Sequence, residues 1–114
     1  MKKTIAIAAL SIATAASAQM TGNQMHQMCI SQDSALKASC FNLIAGFSYG
    51  VNAAQIQSEQ SNKNYKPPVC FPDGYENRQA VDLVKNFLEK NPQHRHHPID
   101  ALMMVVLQST FPCK

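Results

Sequence analysis

Three groups of residues in this chain are of types that carry chemistry: cysteines, histidines, and a serine flanked by glycines. The run Gly46-Phe47-Ser48-Tyr49-Gly50 matches the G-x-S-x-G pattern of a hydrolase nucleophile elbow. That elbow requires a strand, a sharp turn and a helix on a large α/β sheet, whereas the apolar spacing around Ser48 is helical. We therefore interpret Gly46 and Gly50 as small residues that permit close helix packing. No catalytic residue is predicted, and the chain is not expected to be an enzyme.

Histidines and methionines raise the question of a metal site. His94, His96 and His97 fall in a predicted loop, and neutral imidazoles bind zinc or copper. A second cluster of possible metal ligands lies earlier in the chain and consists of Met20, Met25, His26 and Met28. A solvated or partner-contacting loop and ordinary methionine packing are the favoured interpretations. We predict no metal and no cofactor, with a copper- or zinc-binding periplasmic protein kept as an alternative.

The first 18 residues have the three parts of a secretory signal peptide. Lys2 and Lys3 are followed by an apolar stretch over 4–15, too short to span a bilayer, and by the cleavage motif Ala16-Ser17-Ala18. Cleavage after Ala18 would leave 19–114 as a single exported domain with no membrane segment. The formal net charge of +3 falls to +1 without the two lysines, and no basic run remains, which argues against a nucleic-acid partner.

Apolar periodicity predicts an all-α fold, a small bundle of three main helices plus a short N-terminal helix. The main helices are expected at about 34–57, at 76–90 with Asp73 as N-cap, and after Pro98. The last of these is apolar almost all round, so we expect it to be the central and most buried helix.

Four cysteines in an exported chain predict two disulfides. The short connector at 91–98 makes the last two helices antiparallel neighbours, so that their outer ends meet. This arrangement favours the pairing of Cys70 with Cys113 and leaves Cys29 to pair with Cys40.

Several segments occur in an order that resembles a known family. They are Cys29, Cys40-Phe41-Asn42-Leu43-Ile44-Ala45-Gly46-Phe47, Val69-Cys70-Phe71-Pro72-Asp73-Gly74, Phe87-Leu88-Glu89-Lys90-Asn91-Pro92 and Phe111-Pro112-Cys113. Together they resemble the Rap/Tai family of type VI secretion immunity proteins, over about 29–113. The resemblance implies a small periplasmic helical protein, a homodimer, that neutralises a peptidoglycan-cleaving, cysteine-peptidase-like amidase by blocking its active-site cleft.

The partner-contacting surface is predicted from the polar face of the 76–90 helix and the loop after it. Its candidate residues are Glu76, Arg78, Gln79, Asp82, Lys85, Asn86, Glu89, Gln93, His94, Arg95 and His96. Arg95 is the expected anchor, because arginine is enriched at interface hot spots. The polar segment 58–65, which ends in Tyr65, is the competing contact site.

A periplasmic acid-stress chaperone of the Hde type is the other functional alternative. Such proteins are also small, helical, exported and linked by disulfides. The chain has four histidines that become cationic at low pH. Its low content of charged residues, 15%, argues against this alternative, because an aggregation-suppressing chaperone needs a strongly charged surface.

Overall fold

The computed structural model describes residues 19–114; the predicted signal peptide and its cleavage site lie outside them. The four α-helices are α1 (Gly22–Ile30), α2 (Ser34–Ser61), α3 (Asn77–Lys90) and α4 (Ile99–Thr110). A short 3₁₀ turn, Pro92–His94, connects α3 to α4. Within 19–114 the β-structure amounts to an isolated bridge between Thr21 and Pro98, so the predicted all-α fold is confirmed. None of the helices described is both long and apolar enough to cross a membrane.

Side-chain caps determine where the first two helices begin. The Thr21 hydroxyl accepts the Gln24 N–H at 3.4 Å, and the Gln24 side chain accepts the Thr21 N–H at 2.9 Å, which completes a capping box. At the start of α2, the Asp33 carboxylate accepts the Leu36 N–H at 3.0 Å. Each cap satisfies backbone donors that have no partner inside the helix.

The expected cap of α3 at Asp73 is wrong, because the helix begins three residues later. Gly74 has φ 78°, a conformation that a continuing right-handed helix excludes, and it places 72–75 in a turn closed by the Tyr75 N–H on the Pro72 carbonyl at 3.1 Å. Glu76 is the N-cap instead, and its N–H donates to the Gln79 side chain at 2.7 Å.

Helices α1 and α3 each contact all three of the other α-helices, whereas α4 packs mainly on α3 and α1. The expectation that α4 is central is therefore corrected. Helix α4 buries five side chains (Ile99, Leu102, Met103, Val106 and Leu107), but Val105 on its other side is 51% exposed. The apolar sequence of α4 covers the core with one face and leaves the other at the surface.

Both predicted disulfides are present, Cys29–Cys40 and Cys70–Cys113. The first joins α1 to α2, and the second joins the segment before α3 to the end of α4, where the Cys70 N–H also donates to the Phe111 carbonyl at 2.9 Å. With separations of 11 and 43 residues, the chain-entropy model gives them about 3 and about 4 kcal/mol.

Candidate partner-binding surface

The outer face of α3 carries seven of the predicted contact residues, and all of them are exposed. They are Glu76, Arg78, Gln79, Asp82, Lys85, Asn86 and Glu89. The opposite side of the helix buries Ala80, Val81, Val84 and Leu88 in the core. Charges along the outer face alternate in sign at three- and four-residue steps through Arg78, Asp82, Lys85 and Glu89. At its N-terminal end, Arg78 forms an ion pair with Glu76.

The loop 91–98 continues this surface and presents Gln93, His94 and His96 to solvent. His94 stacks on Phe87 of α3, with ring centroids 6.4 Å apart and an interplanar angle of 11°. The rings of His96 and His97 lie 4.1 Å apart. The predicted loop residues therefore lie next to the C-terminal end of α3.

Hydrogen bonds from the N-terminal segment hold this loop in one position. The Gly22 N–H donates to the His97 carbonyl at 3.0 Å, and the Asn23 N–H donates to the Arg95 carbonyl at 2.7 Å. The Ile99 N–H in turn donates to the Met20 carbonyl at 2.9 Å. The sequence predicted a short N-terminal helix here, which α1 confirms, but it did not predict that this segment holds the loop of the candidate site in place.

Gly22 is required at its position because the loop passes so close. A Cβ atom there would lie 2.9 Å from the Arg95 carbonyl oxygen and 2.7 Å from Cδ1 of Leu102. Any larger residue would push the loop backbone away from α1. No signal in the single sequence distinguished Gly22 from an ordinary loop glycine.

Arg95, the expected anchor, is half-buried and points to the end of α3. Its Nε donates to the Leu88 carbonyl at 2.5 Å, and its Nη2 donates to the Glu89 carbonyl at 3.2 Å. These carbonyls belong to the last turn of α3, where no following helical N–H is available to bond them. The negative end of the helix dipole lies at the same place. The observed contacts of Arg95 thus position the loop, and its guanidinium is already used within the chain.

Glu89 is also engaged within the fold. Its carboxylate lies 2.8 Å from Nε2 of His26 on α1, and the His26 side chain is 14% exposed. The hydrogen bond and the charge of His26 lower the pKa of Glu89 below its ordinary value. This pair ties the C-terminal half of α3 to α1.

Next to the loop, an apolar groove of about 420 Å³ opens between the end of α3 and α4. Its walls are Phe87, Asn91, His94, His97, Pro98, Ala101, Leu102 and Val105. A preformed apolar recess beside polar, rigidly held side chains is the arrangement expected of a protein-binding site.

The competing segment 58–65 is partly helical, because α2 extends to Ser61 rather than ending near 57. Asn62 caps the helix, and the Tyr65 N–H donates to its carbonyl at 3.0 Å. Tyr65 is half-buried, so this segment offers a polar surface with little protruding aromatic area.

Ser48, the serine of the G-x-S-x-G match, lies in the middle of α2 and is 0% exposed. It donates to Oδ1 of Asn77 at 3.0 Å and accepts from the Tyr75 hydroxyl, with the two oxygens 2.6 Å apart. Burial raises the pKa of the Tyr75 phenol, which keeps the hydroxyl a neutral donor. Ser48 thus links α2 to the start of α3 as a structural residue.

Gln55 makes a second buried link that sequence reasoning missed. Its side-chain amide donates to the Val69 carbonyl at 3.0 Å and accepts the Val69 N–H at 3.1 Å. Ser48 and Gln55 occupy the same helical face as Cys40 and Ile44, which all lie in the core. In the sequence, the one signal that could have identified Ser48 and Gln55 as buried hydrogen-bonding residues is their position on an otherwise apolar helical face.

The structure gives no support to the metal alternatives. Within residues 19–114, no group of three or more His, Cys, Asp and Glu side chains is placed to hold a metal ion. Of the Met/His cluster, Met25 is a core residue at 1% exposure, Met20 and Met28 pack against the core, and His26 pairs with Glu89. Thioether packing, rather than copper ligation, accounts for these methionines.

The fold and this surface define a small helical domain linked by two disulfides, with a rigid polar surface suited to binding another protein. The chain belongs to the family of Rap1a immunity proteins, whose family model matches residues 21–113. It is thus an immunity protein, and the family implies a toxin as its binding partner. A search of curated proteins and a search of solved structures each found no match.

Proposed function

We propose that this immunity protein acts in the periplasm and inhibits a peptidoglycan amidase delivered by a type VI secretion system. The outer face of α3 and the loop 91–98 bind the amidase and cover its active-site cleft. The resemblance in sequence motifs also favours a homodimer as the functional unit. The observation that carries the proposal is that hydrogen bonds tie loop 91–98 to both of its neighbours, α1 and α3.

Rigidity matters because a binding loop that is already ordered loses little conformational entropy when the complex forms. The backbone carbonyls of Arg95 and His97 are both bonded to α1, while the Arg95 side chain caps α3. Between these two residues the His96 side chain is exposed, and His94 is exposed just before them. A polar projection of this kind fits a cleft whose own catalytic groups are a thiolate and an imidazole.

Two structural features agree with an exported location. Both disulfides form within 19–114, and the cysteines of this part of the chain are all paired. Disulfides persist in oxidising compartments such as the periplasm and are rare in the cytosol. The apolar segment at 4–15 would direct the chain there.

Binding to amidases tests the proposal directly. The full chain would be expressed with export, the oxidised protein purified from the periplasm, and its effect on peptidoglycan hydrolysis measured for a panel of type VI amidase effectors. We expect stoichiometric inhibition of at least one amidase. Failure to bind any member of a broad panel would contradict the amidase as partner.

Charge-reversal variants locate the contact surface. Lys85→Glu on α3 and His96→Glu in the loop replace exposed side chains at the proposed surface. Lys63→Glu places the same change on the competing segment after α2. We expect the first two to weaken amidase binding about tenfold or more and Lys63→Glu to leave it unchanged. The reverse pattern would move the contact to 58–65.

A further inference from the structure

A surface pocket of about 380 Å³ lies where the turn between α1 and α2 meets α3. Its buried lining is the Cys29–Cys40 disulfide and Val81. Ile30 and Phe41 also line the pocket and are 57% and 46% exposed. We call this site the disulfide pocket. Its apolar lining can accept an apolar side chain from another molecule, because covering Ile30 and Phe41 removes apolar surface from water.

The disulfide pocket has two positively charged side chains in its lining and no negatively charged one. Lys37 of α2 and Lys85 of α3 line it from different helices, and both are exposed. The carboxylates nearest to them in sequence, Asp33 and Asp82, are not in the lining. The charge of the lining is therefore positive, and a bound group of negative charge would complement it.

Neither lysine has a carboxylate partner in the part of the chain that the structure describes. The ion pairs found there are Arg78–Glu76 and His26–Glu89. A single exposed lysine on a helix is usually just solvated. Two ammonium groups on flexible stems beside one apolar pocket can both turn towards the same carboxylate. This combination fits a ligand that has a carboxylate next to an apolar group.

The Cys29–Cys40 disulfide holds the apolar part of the pocket together. Ile30 directly follows Cys29 on α1, and Phe41 directly follows Cys40 on α2. The bond therefore keeps two exposed apolar side chains from different helices at one site. A site that is ordered in advance loses little conformational entropy on binding. This disulfide thus organises a surface as well as stabilising the fold.

We infer that the disulfide pocket binds an acidic segment of the toxin. In this arrangement a toxin carboxylate lies between Lys37 and Lys85, and an adjacent apolar side chain packs on Phe41. The inference rests on the proposed function and adds a second contact to it, outside the loop 91–98. Lys85 belongs both to the pocket and to the proposed contact surface of α3, so a toxin bound on α3 reaches the pocket directly.

The charges and the apolar lining of the pocket should affect different rate constants. Lysine charges attract an acidic partner from a distance, which raises the association rate constant most strongly at low ionic strength. Apolar contact forms only in the complex and therefore slows dissociation. This difference allows the two parts of the pocket to be tested separately.

Surface plasmon resonance of the oxidised, exported protein with an amidase that it inhibits measures both rate constants. We expect Lys37→Glu to lower the association rate constant about tenfold at low salt and much less at high salt. Phe41→Ala should raise the dissociation rate constant about tenfold. Lys63→Glu and Tyr49→Ala repeat these two changes at exposed positions that do not line the pocket, and both should bind like the native chain.

The variants are expected to fold, which circular dichroism and thermal unfolding verify. Lys37 is near the N-terminus of α2, where a carboxylate is favourable, and Phe41 is partly exposed. If the native chain inhibits an amidase but Lys37→Glu and Phe41→Ala bind it equally well, the pocket is not a contact and the proposed function stands. Equal losses in the Lys63→Glu and Tyr49→Ala controls would likewise overturn the pocket.

A native chain that inhibits no amidase would contradict both the proposed function and the toxin as occupant. The pocket is then decided by an NMR titration with an acetylated aspartate-phenylalanine-glutamate amide and its uncharged asparagine-phenylalanine-glutamine analogue. Shifts of the Lys37, Phe41 and Lys85 amide signals with the acidic peptide alone would support the pocket as a site for an acidic protein segment. The absence of such selective shifts would overturn it.

Discussion

Helices α2 and α3 pack on each other through apolar faces, yet their outer faces are chemically opposite. The α3 outer face alternates positive and negative side chains at every turn, whereas the α2 outer face has no charge between Lys37 and Glu59. On α3, Arg78 pairs with Glu76 and the exposed charges of Asp82 and Lys85 face water. An exposed ion pair contributes at most about 1 kcal/mol. On α2, apolar side chains contact water without any compensating interaction.

The contrast shows which of the two surfaces is explained by exposure to solvent alone. A mixed-charge helix face is stable in water and becomes a binding site only through the particular residues that a partner contacts. Covering an uncharged face with exposed Leu43, Tyr49 and Ile56 lowers the free energy, because apolar surface is removed from water. The toxin-binding proposal for α3 therefore depends on single positions.

The largest change is expected from removing the disulfide that joins the segment before α3 to the end of α4. Cys113→Ser opens the Cys70–Cys113 loop of 43 residues, and we expect the free energy of unfolding to fall by about 4 kcal/mol. Urea unfolding of the oxidised protein measures this. Toxin protection should be lost with stability, because the segment that leads into α3 is no longer tied to α4. An unchanged unfolding midpoint would contradict the role assigned to this disulfide.

The hydrogen bonds of Ser48 test the contact between α2 and the start of α3. Ser48→Ala removes the partner of both the Tyr75 hydroxyl and the Asn77 amide oxygen. Leaving these partly buried groups without their hydrogen bonds should cost about 2–3 kcal/mol. Thermal unfolding of the variant, with the exposed Ser34→Ala as control, gives the difference. If Ser48→Ala is as stable as the native chain, the packing of α2 on α3 does not depend on these hydrogen bonds.

A matched pair of glycine substitutions compares a position under the toxin-binding loop with one on the α2 outer face. Gly22→Ala forces a methyl group against the Arg95 carbonyl and should destabilise the fold by roughly 1–2 kcal/mol. Gly46→Ala adds the same methyl group in open space, and alanine's higher helix propensity should stabilise the monomer by about 0.5–1 kcal/mol. Urea unfolding of the two variants, compared with the native chain, measures both.

The two variants should also differ in toxin binding. Gly22→Ala displaces the loop 91–98 and is expected to weaken amidase binding. Gly46→Ala, on the outer face of α2, is expected to leave amidase binding unchanged. Equal effects of the two variants on amidase binding would contradict the distinction drawn between the two faces.

The smallest effect concerns the pH dependence of the Glu89–His26 pair. The pKa of Glu89 is lowered in the folded state from its ordinary value of 4.5, so the unfolded chain binds the proton more readily. The stabilisation is present above about pH 4.5 and is lost as the pH falls through the lowered pKa. Glu89→Gln should flatten this part of the stability profile, measured by thermal unfolding between pH 3 and 7. An identical profile for the variant would show that another group is responsible.

Most of the secondary structure was predictable because it depends on local patterns. Helical spacing of apolar residues identified α2, α3 and α4, and the cysteine positions with the short connector predicted both disulfides. Boundaries were less accurate where two local signals compete. Asp73 and Glu76 both resemble caps, and the left-handed conformation of Gly74 decides between them.

The candidate site was predicted in composition but not in geometry. The predicted polar residues of α3 and the loop are exposed with the exception of Arg95. The inward contacts of Arg95 and the pairing of Glu89 with His26 join residues that are remote along the chain or separated by a turn. One-dimensional spacing contains no information about such contacts.

By itself, the sequence determined the helical class, the disulfide pairing and the immunity-protein motifs, because each depends on spacing along the chain. Only the tertiary structure decided which helix is central, what Gly22 and Arg95 hold in place, and which apolar residues stay exposed. The physical reason is that burial belongs to the packed chain: α2 and α4 have more apolar surface than one small core can cover, and only their packing shows which part remains outside.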